Sequence, residues 1–401
     1  MHVVIVGAGI IGTLSAYYLA RKGAKVTVLE RNSAVASEAS GANASQLSFS
    51  SLYPIGNPSL IPTIPSTLVG LNAGIEFRKW LDWRLWLWNL KFLTHCTPQR
   101  YNNNTRTLLE LAGRSRALMS VFLENHPIEF SYSANGKLRL YGAEAALGNA
   151  IKQYGKLEMD RMEGFSVLSA AECLEANPLI GKRQAPLSGG ILFSGDCTGD
   201  SVEFCKGVEE ILSGSPYQVE FRYNVTVEAL KPAQARSTVA HLETDAGEIT
   251  ADAYLLCAGA YTPFLLKKTG TGLPIYPVKG CSIVVPYPQG EMRHSITDID
   301  RKIVMAPLRY GLKISAGMLF DGYNHAADYR LLDIMKTSAL EVIPDLDFSQ
   351  GENFWGLRPA VPSSIPVVKK AAGYDNLYVN AGHGMWGWTL SHATCERAAD
   401  I

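Results

Sequence analysis

His2-Val3-Val4-Ile5-Val6-Gly7-Ala8-Gly9-Ile10-Ile11-Gly12 opens the chain, and Lys25-Val26-Thr27-Val28-Leu29-Glu30 follows a helical stretch that runs to about Lys22. Both apolar runs read as buried strands, so the segment is a βαβ unit and the fold class is α/β with a parallel sheet. Each glycine has a task there: Gly7 turns the chain tightly, Gly9 lets the backbone approach a pyrophosphate, and Gly12 lets the helix pack close to the strand. The helix amino terminus, with Ile10 and Ile11 in its first turn, faces the phosphate charge. Glu30 lies 18 residues after Gly12, near the distance at which an acid accepts the ribose hydroxyls. An acid there, in place of an arginine, disfavours a 2′-phosphate and leaves NAD or FAD.

Behind Glu30 come Arg31 and then Ser37-Glu38-Ala39-Ser40-Gly41-Ala42-Asn43-Ala44-Ser45-Gln46-Leu47-Ser48. Small side chains let this backbone pass close to a large flat ligand, which makes Ser40, Ala42, Asn43, Gln46 and Leu47 candidate contacts. NAD enzymes normally proceed directly to another βα unit at this point; taken alone, the stretch also reads as a polar surface loop. Ala253-Tyr254-Leu255-Leu256-Cys257-Ala258-Gly259 is an apolar strand running into a glycine turn. It sets Ala258 and Gly259 beside the same nucleotide, because ligands of open α/β sheets sit at the carboxyl ends of the strands. Val225, among the strand patterns from Tyr217 to Leu230, is a further candidate contact.

The composition suits an enzyme-sized globular chain: 401 residues, 47% hydrophobic, mean hydropathy +0.02. Lys and Arg total 37 against 37 Asp and Glu, so no net charge draws nucleic acid, and a nucleic-acid binder is excluded. The seven cysteines form no C-x-x-C pair and no Cys/His cluster, so neither a metal site nor a disulfide framework is expected, and a cytoplasmic, reducing compartment fits best. No secretory signal is expected, since the apolar run at His2 lacks a basic leader, and no window reaches the roughly 18 apolar residues of a membrane span.

Further along, Pro54, Pro58, Pro62 and Pro65 mark a loop, and Trp80, Trp83, Trp86 and Trp88 fall within nine residues. Periodicity predicts helices over about Thr105–Glu124, Val202–Leu212 and Leu331–Glu341, and strands at Gly136–Tyr141, Gly189–Phe193, Ile275–Val285, Ile303–Met305, Leu312–Ser315 and Asn376–Asn380. Gly382-His383-Gly384-Met385-Trp386-Gly387-Trp388-Thr389 then leads into a last helix. The order implies a nucleotide-binding unit at 1–50, 190–270 and 350–401, interleaved with a substrate unit at 51–189 and 271–349.

Four blocks carry a resemblance: Val3–Glu30; Ser40-Gly41-Ala42-Asn43-Ala44-Ser45-Gln46; Tyr276-Pro277-Val278-Lys279-Gly280; and Trp355-Gly356-Leu357-Arg358-Pro359 with Gly382-His383-Gly384. In this order they resemble the FAD-dependent D-amino-acid oxidase superfamily, and within it the D-amino-acid dehydrogenases. The resemblance implies a Rossmann-type FAD-binding domain of the GR2, D-amino-acid oxidase-like class, interleaved with a mixed α+β substrate domain. It also implies non-covalent FAD, held additionally by Trp355, Gly382, Gly384, Met385, Gly387, Trp388 and Thr389. The implied reaction is oxidative deamination of an amino acid by hydride transfer to the flavin, giving a 2-oxo acid and ammonia, with electrons passed to a quinone or dye. Three departures stand out: Ser363-Ser364-Ile365-Pro366 where the family carries Asp-Gly, the bulky Met385-Trp386 pair, and an end at Ile401 inside a helix that relatives continue, as in a trimmed chain.

Flavin chemistry asks little acid–base work of a protein, so the essential residue is an anchor for the substrate carboxylate, which a bidentate guanidinium suits best. Arg358 matches the superfamily's carboxylate-binding arginine by motif position; the alternative is an arginine paired with a domain-interface acid. Tyr53, Tyr310 and Tyr323 are candidates for a second carboxylate contact, or equally interface tyrosines. His383, between glycines, is expected to act through backbone N–H groups that stabilise negative charge on the reduced ring, rather than through its imidazole. Lys279 either favours the neutral substrate amine or caps its strand.

Residues 77–93 combine aromatic and basic side chains and suit either an interfacial helix lying in lipid headgroups, where a quinone-reducing enzyme docks, or a helix packed on the substrate domain. The sequence carries no signal for an oligomeric state. Alternatives to a D-amino-acid dehydrogenase are an oxygen-using oxidase, a D-hydroxyproline or proline dehydrogenase, an L-amino-acid deaminase, a flavin-carrying subunit of a hetero-oligomer and a nicotinamide-linked enzyme.

Overall fold

The computed structural model describes residues 1–63, 75–158, 164–233 and 237–400; Pro65 and Ile401 lie outside them. Strand His2–Val6 occupies the middle of a six-stranded sheet. Lys25–Leu29 and Val219–Arg222 continue it on one side, and Ala253–Leu256 and Leu377–Ala381 on the other, all parallel. Val367–Lys370 closes one edge in the antiparallel sense.

The pleat explains why His2–Val6 is apolar throughout. Val3 and Ile5 point into a core shared with helices Ile10–Arg21, Ser201–Ser213 and Gly387–Ala399, while Val4 and Val6 meet Leu230, Val239 and Leu242 of a three-stranded antiparallel layer on the other face. Each such fully buried aliphatic side chain contributes about 1.5–3 kcal/mol. Helix Ser201–Ser213 starts where the Asp200 carboxylate accepts the N–H groups of Val202 and Glu203 at 2.8 and 2.9 Å.

A nine-stranded sheet builds the second unit, in the order Glu352–Ala360, Tyr276–Val285, Gly311–Phe320, Ile303–Leu308, Ser295–Asp298, Lys137–Tyr141, Gly189–Phe193, Phe165–Ser169, with Ile75–Phe77 paired to Gly311–Phe320. Its back packs on helix Tyr329–Val342 through Cys281, Ile283, Ile314 and Met335. Its front faces the nucleotide unit.

Three assignments change. Strands Gly189–Phe193 and Glu352–Ala360, expected in the nucleotide unit, pair with Lys137–Tyr141 and with Tyr276–Val285 in the larger sheet. Helix Pro98–Asn125, expected in the substrate unit, packs Leu108, Ala112, Met119 and Phe122 into the nucleotide core. Strand pairing and helix docking join residues far apart in sequence, and local periodicity carries no record of either.

Candidate functional site

A cavity of about 660 Å³ lies between the two sheets. Its nucleotide end is the turn Gly7–Gly12. Gly7 adopts φ +101°, and a Cβ there would stand 2.8 Å from the Cys257 carbonyl oxygen. Around Gly9 a Cβ would meet only the Ser40 hydroxyl, at 3.2 Å, so this backbone is open to a ligand. Ser40 Oγ accepts the Ile10 N–H at 3.0 Å, and Glu30 accepts from Ala8 N–H at 2.8 Å and from the backbone and side-chain nitrogens of Asn32 at 2.9 and 2.7 Å. The acid is thereby fixed beside the turn. Arg31 pairs with Glu38 and lies 3.9 Å over the Tyr261 ring.

Most predicted contacts meet here. Gly7, Gly9, Ile10, Ile11, Glu30, Arg31, Ser40, Ala42, Asn43, Gln46, Val225, Ala258, Gly259, Arg358, His383, Gly384, Met385, Gly387 and Trp388 all line the cavity. The small-residue stretch is pressed against the large sheet: a Cβ on Gly356 would come within 2.9 Å of both Ala39 Cα and Ala42 Cβ. Gln46 reaches across to that sheet, with Thr297 Oγ1 3.3 Å from its Oε1.

Arg358 projects into the cavity from strand Glu352–Ala360 and donates to the Gly317 carbonyl at 2.5 Å. Among the described residues no carboxylate pairs with it, which removes the interface ion pair as its role, and burial lowers its pKa below the ordinary value. A desolvated guanidinium without a counter-ion is a site for an anion.

Several candidates stand elsewhere. Tyr310 is 51% exposed and donates to Asp200 at 2.8 Å, away from the cavity. Tyr53 packs its ring on Tyr154, and its hydroxyl is buried without a partner. Tyr323 donates to the Ala260 carbonyl at 2.9 Å. Leu47 is buried in the nucleotide core, and Trp355 packs with the core behind the large sheet. Gly12, Gly382 and Thr389 support the wall from behind; Thr389 Oγ1 accepts the Ser48 N–H at 3.0 Å. Lys279 is turned to the Ala326 carbonyl at 2.9 Å.

His383 lines the cavity, and its Nε2 shares a 3.0 Å hydrogen bond with Thr394; burial pushes its pKa down to about 3. Its imidazole is therefore neutral and engaged by Thr394, which disfavours acid–base work by the ring.

Lys137 and Arg139 also line the cavity, and motif reading missed them. Lys137 donates to Ser48 at 2.7 Å and to Ser51, and pairs with Asp196 at 3.1 Å; burial brings its pKa down to about 8 despite that carboxylate. The alternation Lys137-Leu138-Arg139-Leu140 was the available signal: the leucines enter the core behind the sheet, so the cations must face forward.

A family profile described as FAD dependent oxidoreductase matches residues 2–401. The D-amino acid dehydrogenase of Paramagnetospirillum magneticum is 35% identical over 408 residues, covering 100% of this chain and 94% of the relative. That of Allorhizobium ampelinum is 33% identical over 403 residues, with 100% and 94% covered. In solved structures the fold is similar to glycine oxidase from Geobacillus kaustophilus, at TM-score 0.77 and 20% identity over 100% of this chain and 93% of the other. The L-proline dehydrogenase of P. horikoshii gives TM-score 0.72 at 16% identity over 100% and 92%.

Proposed function

The chain belongs to the DAO family of FAD dependent oxidoreductases, and from that premise we propose that it is a dehydrogenase of D-amino acids whose substrate carboxylate is anchored by Arg358. It is a flavin-dependent enzyme acting on amino acids, its fold is the two-domain architecture of that family, and FAD is its cofactor. The residues fit that cofactor: the open backbone at Gly9, the oriented Glu30 and the close-packed Ala39–Ala42 segment form a cradle for a dinucleotide. When bound, FAD supplies the acceptor of the hydride from the substrate Cα.

The remaining work falls to the chain. Arg358 binds the carboxylate and fixes Cα, and the backbone around His383 offers polar groups while its imidazole stays neutral. No side chain is assigned as a base, so the substrate must arrive with a neutral amine, and the imino product hydrolyses to a 2-oxo acid and ammonia. The single observation that carries this reading is a half-buried arginine in the cavity with no carboxylate partner among the described residues. The D enantiomer and an acceptor other than oxygen are supported by the relatives named D-amino acid dehydrogenase along the whole chain.

Anaerobic bleaching of the bound flavin by panels of D- and L-amino acids tests it. Bleaching by D-amino acids, reversed quickly by a quinone analogue and slowly by air, is expected. Bleaching by L-amino acids or cyclic secondary amines alone, or rapid reoxidation by air, would overturn the substrate or the acceptor assignment.

A quinone acceptor brings in the lipid surface, and a specific feature supports contact. Helix Trp83–His95 buries Leu85 and Trp88 but presents Trp83, Trp86, Leu87, Leu90 and Leu93 to solvent, Trp83 69% and Leu90 63% exposed, with Lys79 and Lys91 nearby in sequence. Among the described residues no helix is long and apolar enough to cross a membrane. Tryptophan, leucine and lysine on one short helix suit a bilayer surface. The enzyme should float with anionic vesicles, and W83S/L90S should not; absence of flotation would remove the contact.

A further inference from the structure

The turn Gly382–Gly387 is bonded to the strand that carries Arg358. Glu352–Ala360 is the outermost strand of the large sheet, and the Gly384 N–H donates to its Pro359 carbonyl at 2.9 Å. Met385 stands one Cα step, about 3.8 Å, beyond Gly384 and lines the cavity. The backbone beneath it is fixed: Gly382 and Gly384 hold φ +83° and +55°, the Trp386 N–H donates to the His383 carbonyl at 3.0 Å, and Trp386 Nε1 donates to the Tyr53 carbonyl at 3.2 Å.

The side chain on this rigid turn is itself loosely held. Among the described residues, Phe264 and Met385 are the only large apolar cavity-lining residues that are exposed, Met385 by 41%. Phe264 has ring partners in Tyr323 and Tyr261, at 4.5 and 6.4 Å between centres. Met385 belongs to none of the hydrophobic cores, whereas its neighbour Trp386 packs on the nucleotide core. Packing inside the fold therefore does not account for a long thioether here, and an unbranched methionine adapts readily to a partner of variable shape. The other lining residues next to Arg358 in chain or strand are Leu357, Pro359, Gly317, Met318 and Ile75, the last paired to Met318. None of them carries a charge.

We propose that Met385 is a specificity-determining residue: its side chain packs on a long, apolar substrate side chain and selects such amino acids over alanine. This rests on the reading of Arg358 as the carboxylate anchor. Two measurements on purified holoenzyme test it. Straight-chain carboxylates from acetate to hexanoate, which have no amine to oxidise, are titrated while the flavin absorbance reports binding, and kcat/KM is compared for leucine and alanine. Wild-type affinity should rise with chain length. In M385A the rise should flatten, with hexanoate bound about tenfold more weakly and acetate unchanged. The leucine-to-alanine ratio of kcat/KM should fall by a similar factor, M385L should stay close to wild type, and FAD content should not change. Equal losses on acetate and hexanoate would make Met385 a structural residue, and a gain on leucine in M385A would make it a barrier; either overturns the proposal. Loss of the chain-length trend in M385A, in an enzyme that oxidises only L-amino acids, would uphold Met385 and overturn the D assignment. Wild-type holoenzyme that binds none of the carboxylates would remove the anchor, and this proposal with it.

Discussion

The guanidinium of Arg358 lies across the Cα of Gly280 on the neighbouring strand: a Cβ built on Gly280 would overlap both terminal nitrogens and Cζ of the arginine. The Tyr276–Gly280 block and the Trp355–Pro359 block are therefore one device, with Gly280 clearing the space in which the arginine turns toward Gly317 and the cavity. G280A should displace the guanidinium without touching the dinucleotide cradle. FAD content should stay at wild-type level while KM for amino acids rises at least tenfold; unchanged KM would show that Arg358 reaches its substrate another way.

Removing the guanidinium itself should cost more. Hydrogen bonds to charged groups contribute about 1.5–3 kcal/mol each, so R358A should raise KM by about tenfold to more than a hundredfold. Because no carboxylate partner among the described residues is orphaned by the change, thermal stability should hold or rise, unlike the usual outcome of breaking a buried ion pair. A large fall in melting temperature would show a structural arginine.

The βαβ unit was legible because its information is local: two apolar runs, three glycines and a terminal acid within 30 residues. Helix ends were legible where the apolar period reached them. Asp200 caps helix Ser201–Ser213 one residue from its expected start, whereas the first turns of Pro98–Asn125, though capped by Thr97 with Pro98 at the first position, are polar, carried no apolar period and were missed. Arg358 was found by motif, yet the strand that bears it was put in the other unit, because its pairing with Tyr276–Val285 spans some 75 residues. Tyr310 failed because a tyrosine beside strands says nothing of which way its hydroxyl turns, here to Asp200.

Gly356 tests the cradle. Its absent side chain is where Ala39 and Ala42 rest, so G356V should push the 37–48 segment off the sheet and weaken FAD binding, read as a raised dissociation constant of the cofactor and paler purified protein. Far-ultraviolet circular dichroism should be unchanged, because the strand keeps its partners on Tyr276–Val285. Full FAD occupancy in G356V would show that the segment does not need this approach.

The two buried histidines give stability a pH dependence whose sign is fixed. Burial pushes both His383 and His392 down to about 3, against roughly 6.5 in an unfolded chain. Between those values the unfolded state binds protons that the folded state refuses, so the contribution is complete above about pH 6.5 and is lost as pH falls toward 3. His392 lies outside the cavity, sharing a 2.9 Å hydrogen bond with the Tyr18 hydroxyl and packing near Phe122 and Phe204. H392Q keeps a hydrogen-bonding group there and removes one titration. Its melting temperature should therefore fall less than that of wild type between pH 7 and pH 5, whatever its value at neutral pH. Parallel slopes for the two proteins would mean that His392 is already protonated in the fold.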